Sequence, residues 1–252
     1  MRRPFDCWPR LASRVRAAAS IALFLDFDGT LTPLKPTPGE VHLSPAMRLA
    51  MVRLAAHRAM NVWVISGRKR EDVREKTRLA QVRYLGIHGW EGGRQTTLDP
   101  QIQCELDQAR NTLADSLAKL RGVWIENKGP AFAIHYREAG EDESSQARAS
   151  MNQALARLNG GFRLFNGKKV WEVLPRELGD KGSAVRRALS RFEPRPLPLY
   201  IGDDFTDEYA FAAIPDGITI RVGPHSLTRA QFQLRDPGEV RRFLEQLEVE
   251  LS

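Results

Sequence analysis

Ile21-Ala-Leu-Phe-Leu-Asp26-Phe-Asp28-Gly29-Thr30 is the stretch on which the reading of this chain turns. Ile21 to Leu25 are apolar without alternation, the pattern of a strand buried on both faces of a parallel sheet. Gly29 ends that strand, and two aspartates stand at its carboxyl end. Carboxylates are poor occupants of a buried strand, and ligands of parallel sheets gather beyond the carboxyl ends of the strands. The pair therefore marks where a site would form. Taken alone, Asp-x-Asp-Gly-Thr could also be a plain turn, since Asp and Gly favour turns.

Outward from this strand, the chain alternates. Ser44 and Pro45 suit the cap and first position of a helix. Asn61 to Ile65 reads as a second buried strand, followed by Ser66-Gly67-Arg68 and a charged helix over 71–79. Tyr84 to His88 reads as a third strand, closed by Gly89-Trp90-Glu91-Gly92-Gly93. This rhythm implies a parallel sheet covered on both faces. The pattern then changes: a long helix over 98–120, a strand pair over 123–137, a polar helix over 141–158 and a hairpin over 162–174. Asn166-Gly167 is the turn signal of that hairpin. The β/α rhythm resumes with a helix over 181–191, strands at 197–201 and 218–222, and a closing helix over 237–251. The expected architecture is an α/β, Rossmann-like parallel-sheet core with a smaller α/β insertion. The boundaries fall at 1–91 and 176–252 for the core and 92–175 for the insertion.

The whole composition limits the function classes. At 252 residues, 42% hydrophobic and 27% charged, the chain can bury a sizeable core and is neither disordered nor fibrous. Its formal charge of +7 suits an anionic substrate. The basic residues are interleaved with acids and form no aromatic-basic stripe, so nucleic acid is not an expected partner. Two cysteines, Cys7 and Cys104, without CxxC spacing exclude a disulfide scaffold or zinc site and fit a cytoplasmic protein. The apolar run Ala17 to Leu25 is too short to span a membrane and is followed by no cleavage pattern for export.

Four polar clusters fall beside the predicted core elements: Asp26-Phe-Asp28-Gly-Thr30, Ser66-Gly67-Arg68, Gly179-Asp-Lys181-Gly182 and Gly202-Asp203-Asp204-Phe-Thr-Asp207-Glu208. Singly each has a plain explanation. Ser66 could cap a helix, Lys181 could open one, and the acids after Gly202 could sit in a helix's first turn. Together, at the converging ends of one sheet, they describe a phosphoryl-transfer site. Asp26, Asp28 and Asp203 offer hard oxygen ligands, which suit Mg²⁺ better than zinc. A carboxylate can attack phosphorus, and the metal offsets its repulsion from the phosphate.

In this order the four clusters resemble the signature of the haloacid-dehalogenase superfamily of phosphotransferases. Further pieces resemble trehalose-6-phosphate phosphatases: Leu85-Gly-Ile-His88-Gly-Trp-Glu91, Glu126-Asn-Lys128-Gly with His135-Tyr-Arg137, Trp171-Glu172-Val-Leu-Pro175, and Val222-Gly with Thr228-Arg-Ala. The resemblance extends from about Ile21 to Leu247. It implies a haloacid-dehalogenase core with an inserted cap, and Mg²⁺-dependent hydrolysis of trehalose 6-phosphate through a phosphoaspartate. Asp26 would be the nucleophile and Asp28 the acid/base. Ser66, with Gly67, and Lys181 would hold the phosphate. Asp26, the backbone carbonyl of Asp28 and Asp203 would ligate the metal, with Asp204 and Asp207 supporting that shell or the lysine.

Reading a disaccharide needs buried hydrogen-bonding groups that the wrong sugar leaves unpaired. Lys168 and Glu172 share strand parity, as do Glu126 and Lys128. With Arg68, His88 and Glu91 these are the expected sugar contacts, although any of them could be a solvated ion pair. The substrate would come from a separate trehalose-6-phosphate synthase. Two rivals stay open: a phosphatase of sucrose phosphate or a glycosyl-phosphoglycerate, and a non-catalytic sugar-phosphate sensor.

Overall fold

The computed structural model describes residues 2–35, 38–92, 97–158, 160–224 and 227–251. The chain divides into two compact units, one made of Met1–Arg94 and Asp180–Ser252, the other of Gln95–Gly179. The insertion expected from sequence at 92–175 overlaps the second of these, whose bounds lie three and four residues further on. Gly93, read as the end of the loop after the third strand, lies outside the described residues.

The first unit contains α1 (Trp8–Ala17), β1 (Ile21–Leu25), α2 (Pro45–Ala56), β2 (Met60–Ile65), α3 (Arg70–Thr77) and β3 (Arg83–Leu85). The second contains α4 (Pro100–Leu117), β4 (Trp124–Asn127), β5 (Phe132–His135), α5 (Glu141–Leu155), β6 (Phe162–Gly167) and β7 (Val170–Pro175). The chain then returns to the first unit with α6 (Lys181–Leu189), β8 (Leu197–Gly202), α7 (Asp207–Ala213), β9 (Ile218–Val222), β10 (Phe232–Leu234) and α8 (Pro237–Leu251).

The first unit's sheet is parallel throughout, in the order β10-β9-β8-β1-β2-β3. All five β1 residues are buried, and their alternation sends Ile21, Leu23 and Leu25 to one face and Ala22 and Phe24 to the other. On the first face they meet α1, α2 and α8 through residues such as Leu11, Met51 and Phe243. On the second they meet α6 and α7 through Val185, Leu189 and Phe211. This two-sided burial explains why β1 reads as unbroken apolar sequence. The strand order reverses direction where β8 lies beside β1, and that switch point is where an open α/β sheet leaves a crevice at its carboxyl edge.

The second unit is a four-stranded antiparallel sheet in the order β4-β5-β7-β6. Phe132, Ile134, Trp171 and Val173 pack one face against α4 and α5 through Leu106, Leu113 and Met151. The alternate residues, Glu126, Ala133, His135 and Glu172 among them, belong to the opposite face.

Several elements differ from the sequence expectation. The β6–β7 hairpin does not turn at Asn166-Gly167, which pair within the ladder with Trp171 and Val170. The turn is Lys168-Lys169, with Lys169 at φ +64°, because the ladder register outweighs the local Asn-Gly preference. Lys168 therefore sits in the turn and not on a strand beside Glu172, which removes the shared-parity argument for that pair. β3 ends at Leu85, and His88 lies in a single turn at φ +55°. α1 begins three residues earlier than the expected Leu11, opening at Trp8 with Pro9 in its first turn. The helix whose first turn the acids after Gly202 could occupy is the short α7, with Asp207 and Glu208 in its first turn, whereas β10 carries no sequence expectation.

Leu23 is fully buried at the centre of the core, so Leu23→Ala should cost about 3 kcal/mol of unfolding free energy in a urea melt. An unchanged midpoint would contradict the burial of β1 on both faces.

Candidate active site

Two glycines shape the crevice at the carboxyl edge of β1 and β8. The chain leaves β1 with the Asp26 amide bound to the carbonyl of Ile201 (3.0 Å), which keeps Asp26 beside the end of β8. Gly29 adopts φ +85°, and a Cβ there would fall inside the carboxylate of Asp203. Thr30 Oγ1 reaches the same carboxylate at 3.5 Å. Gly202 repeats the device, since a Cβ on it would enter the carboxyl group of Asp207. Both carboxylates thus approach backbone more closely than any side chain would permit.

Lys181 binds these pieces together. Asp180 and Ser183 form a reciprocal capping box (2.8 and 2.9 Å) that starts α6 and fixes Lys181 in its first turn. Its side chain is 2% exposed, and Nζ donates to Asp26 Oδ1 and Asp207 Oδ1, both at 2.7 Å. Asp207 is bonded at both oxygens: Oδ1 also accepts from the Tyr200 hydroxyl (2.7 Å) and Oδ2 from the Asp204 amide (2.8 Å). Burial alone would lower the pKa of Lys181, but Asp207 and Asp26 together raise it well above the ordinary lysine value. Burial raises the pKa of Asp26, Lys181 opposes that, and the Asp207 and Asp203 carboxylates add to it. Tyr200 is pushed up by burial and by Asp207, so it keeps the proton it donates.

Ligand oxygens of Asp26, Asp203 and Asp207 all lie within 4.8 Å of one another, and all three residues are buried. Three carboxylates against one ammonium leave two negative charges unbalanced among these groups. A divalent hard cation fits that donor set and that charge. Asp207 already accepts at both oxygens, so Asp26 and Asp203 are the carboxylates suited to hold it.

The other expected site residues fall into place unevenly. Asp28 is gripped by Arg68, whose Nε and Nη2 reach its two oxygens at 2.6 and 2.8 Å. Nη1 of the same arginine binds Asp72 at 2.8 Å. Burial would lower the pKa of Arg68, but the two carboxylates raise it. Arg68, expected to touch sugar, is therefore placed on the second aspartate of the opening motif. Ser66 is buried at the end of β2 and its Oγ accepts from the Arg68 amide at 3.2 Å. Gly67 lies between them. His88 is buried, with its amide on the Ser66 carbonyl at 2.9 Å. The Glu91 carboxylate, another expected sugar contact, accepts from the Arg70 amide at the start of α3.

In the second unit, Lys128 is buried with its ammonium on the Glu172 carboxylate and 3.9 Å from Glu126. Glu126 also accepts from His135 Nε2 at 3.0 Å. Burial would raise the Glu126 pKa, but His135 and Lys128 outweigh it and hold the carboxyl below its usual value. Trp124 stacks on His135 with ring centres 3.9 Å apart. The structure brings Glu126, Lys128 and Glu172 together, and Lys168 lies in the hairpin turn, where its carbonyl accepts from Arg137. Trp171 is a core residue, stacked on Tyr136.

Two residues escaped the sequence reading. Tyr200 holds Asp207, and Arg221 binds the Asp204 carbonyl and Glu208. The available signal was a polar group inside an apolar strand run in each case.

A family model described as trehalose-phosphatase matches residues 24–235. A trehalose-phosphate phosphatase of Mycobacterium marinum is 33% identical over 246 residues, covering 92% of this chain and 62% of its own. The chain therefore spans less than two thirds of that relative. A probable trehalose-phosphate phosphatase of Oryza sativa is 30% identical over 269 residues, covering 95% of this chain and 72% of its own. The C-terminal domain of the C. albicans trehalose-6-phosphate phosphatase shares the fold, with TM-score 0.83, 24% identity and coverage of 97% and 98%. Among the described residues no helix is long and apolar enough to cross a membrane.

Tyr200→Phe keeps the packing of β8 and deletes one hydrogen bond to a buried carboxylate. It should lower unfolding free energy by about 2 kcal/mol. A melt identical to that of the unmodified protein would show that Asp207 does not depend on the hydroxyl.

Proposed function

The chain belongs to the trehalose-phosphatase family, and from that premise we propose that it hydrolyses trehalose 6-phosphate to trehalose and phosphate. The observation that carries the reading is the buried Asp26 carboxylate at the switch point, held by Lys181 and faced by Asp203. In this reading Asp26 attacks phosphorus and becomes a phosphoaspartate while the P–O bond to the sugar breaks. Asp28 gives a proton to the leaving sugar oxygen. It then takes one from the water that releases phosphate from Asp26. Both Asp28 oxygens accept from Arg68, so carrying the proton would require one of them to release its bond to the guanidinium.

Lys181 and the Ser66 hydroxyl supply donors for the phosphate oxygens, with the Gly67 backbone between Ser66 and Arg68. Asp26, Asp203 and the backbone carbonyl of Asp28 would hold Mg²⁺, and Asp204 and Asp207 would support them. When bound, the ion would offset the repulsion between the Asp26 carboxylate and the phosphate and stabilise the charge of the transferring group. Asp207 would orient Lys181, to which its Oδ1 is bonded, or support the metal shell.

The second unit (the region 92–175 of the sequence reading) would be the specificity domain of the core formed by 1–91 and 176–252. Lys128 and Glu172, with Glu126 beside them, form a buried charged group whose partners a glucose hydroxyl can share. Lys168, His88 and Glu91 remain proposed sugar contacts by family position. The reading also places the protein in the cytoplasm, supplied with substrate by a separate synthase.

A panel of phosphosugars separates this reading from its rivals. Trehalose 6-phosphate should be turned over fastest, EDTA should abolish turnover, and Asp26→Asn should leave no measurable rate. Faster release from sucrose phosphate or a glycosyl-phosphoglycerate would sink the substrate assignment, and full activity in Asp26→Asn the mechanism. Glu172→Gln should lower kcat/KM on trehalose 6-phosphate roughly 10–100-fold while changing p-nitrophenyl phosphate hydrolysis by less than about twofold. An equal loss on both substrates would remove Glu172 from sugar recognition.

A further inference from the structure

Arg221 is the one charged residue of the buried strand β9. Its neighbours in β9 are Ile218, Thr219, Ile220 and Val222, and it is 3% exposed. A hydrophobic residue of similar volume could fill such a position without desolvating a charge, and that exchange is often neutral or stabilising. What the guanidinium supplies is a donor at one place. Through the β8–β9 register Arg221 lies opposite Gly202, the residue immediately before Asp203. Its Nη1 donates to the Asp204 carbonyl at 3.0 Å and to Glu208 Oε1 at 3.2 Å.

A single nitrogen thus ties the loop that carries Asp203 to the first turn of α7. The other oxygen of Glu208 accepts from the Arg229 amide at 2.8 Å, which anchors α7 in turn to the segment before β10. The Asp204 amide faces the opposite way and binds Asp207 Oδ2. The peptide on either side of Asp204 is therefore fixed at both its N–H and its C=O. Arg221 Nε, by contrast, is buried and has no partner among the described residues. The arginine is not placed to satisfy itself. It is placed to hold this loop.

We propose that Arg221, acting with Glu208, is a positioning residue that sets Mg²⁺ affinity by fixing the backbone that presents Asp203. The proposal rests on the reading of Asp203 as a metal ligand. Partners that orient metal ligands typically govern affinity to the extent of one to two powers of ten. The substrate's phosphate and sugar groups do not enter the argument, so substrate affinity at saturating metal should be spared.

The test is Mg²⁺ binding to the full-length, substrate-free protein by isothermal titration calorimetry, with thermal unfolding without magnesium recorded alongside. Arg221→Met should weaken Mg²⁺ binding about 10–100-fold, whereas Arg221→Lys, which keeps a donor, should stay within about threefold. KM for trehalose 6-phosphate at saturating Mg²⁺ should move by less than about twofold in both. Where Arg221→Met fails to fold, Glu208→Gln serves instead, since it removes the charge partner and keeps the volume. Unchanged Mg²⁺ affinity in the folded variant overturns the proposal and leaves the metal site standing. A loss of the same size in Arg221→Lys, tracking a fall in melting temperature, also overturns it, as general destabilisation. Absence of Mg²⁺ binding in the unmodified protein overturns the metal reading itself, and this inference with it.

Discussion

The ammonium of Lys181, shared between Asp26 and Asp207, is the contact around which the parallel-sheet unit is organised. It joins the end of β1, the start of α6 and the start of α7, three segments far apart in sequence. A buried lysine is tolerable only when its charge is met, and buried carboxylates need the same. Here each side supplies the other, yet the carboxylates outnumber the ammonium once Asp203 is included. The site is therefore built short of positive charge. Burial first, and then the neighbouring carboxylates, raise the pKa of Asp26 against the pull of Lys181, and the excess of carboxylates suits the cluster to a divalent ion.

Around this contact other side chains and glycines hold the acidic groups in place. Tyr200 and the Asp204 amide bond to the two oxygens of Asp207, which in turn holds the lysine. Arg68 grips Asp28 with two nitrogens and spends its third on Asp72, which roots the pair in α3. Gly29 and Gly202 contribute by absence, leaving room for carboxylates to lie against backbone. Rigid elements deliver each group, and little depends on long loops.

Much of this was legible in the sequence, for identifiable reasons. β1 announced itself because burial on both faces forbids polar alternation, and the aspartates at its end broke the run where the sheet stops. The four clusters could be ordered along one sheet edge because a parallel sheet brings its carboxyl ends together. Pairings between residues distant in sequence were not legible. Nothing local says that Arg68 lies on Asp28, that Glu91 accepts from the Arg70 amide, or that Arg221 reaches Asp204. The hairpin at Lys168-Lys169 shows the same limit. Asn166-Gly167 is a strong local turn signal, but the register that buries Phe165 and Trp171 moved the turn two residues on.

The antiparallel sheet of the second unit has a consequence of another kind. Strand alternation commits Phe132, Ile134, Trp171 and Val173 to the helices, and leaves Glu126, His135 and Glu172 on the face that carries no part of that packing. Core packing and the polar chemistry of the other face are thereby written in alternating letters of the same short strands. Evolution can respell one set without touching the other. A lineage could change a few of these residues and inherit the scaffold unaltered.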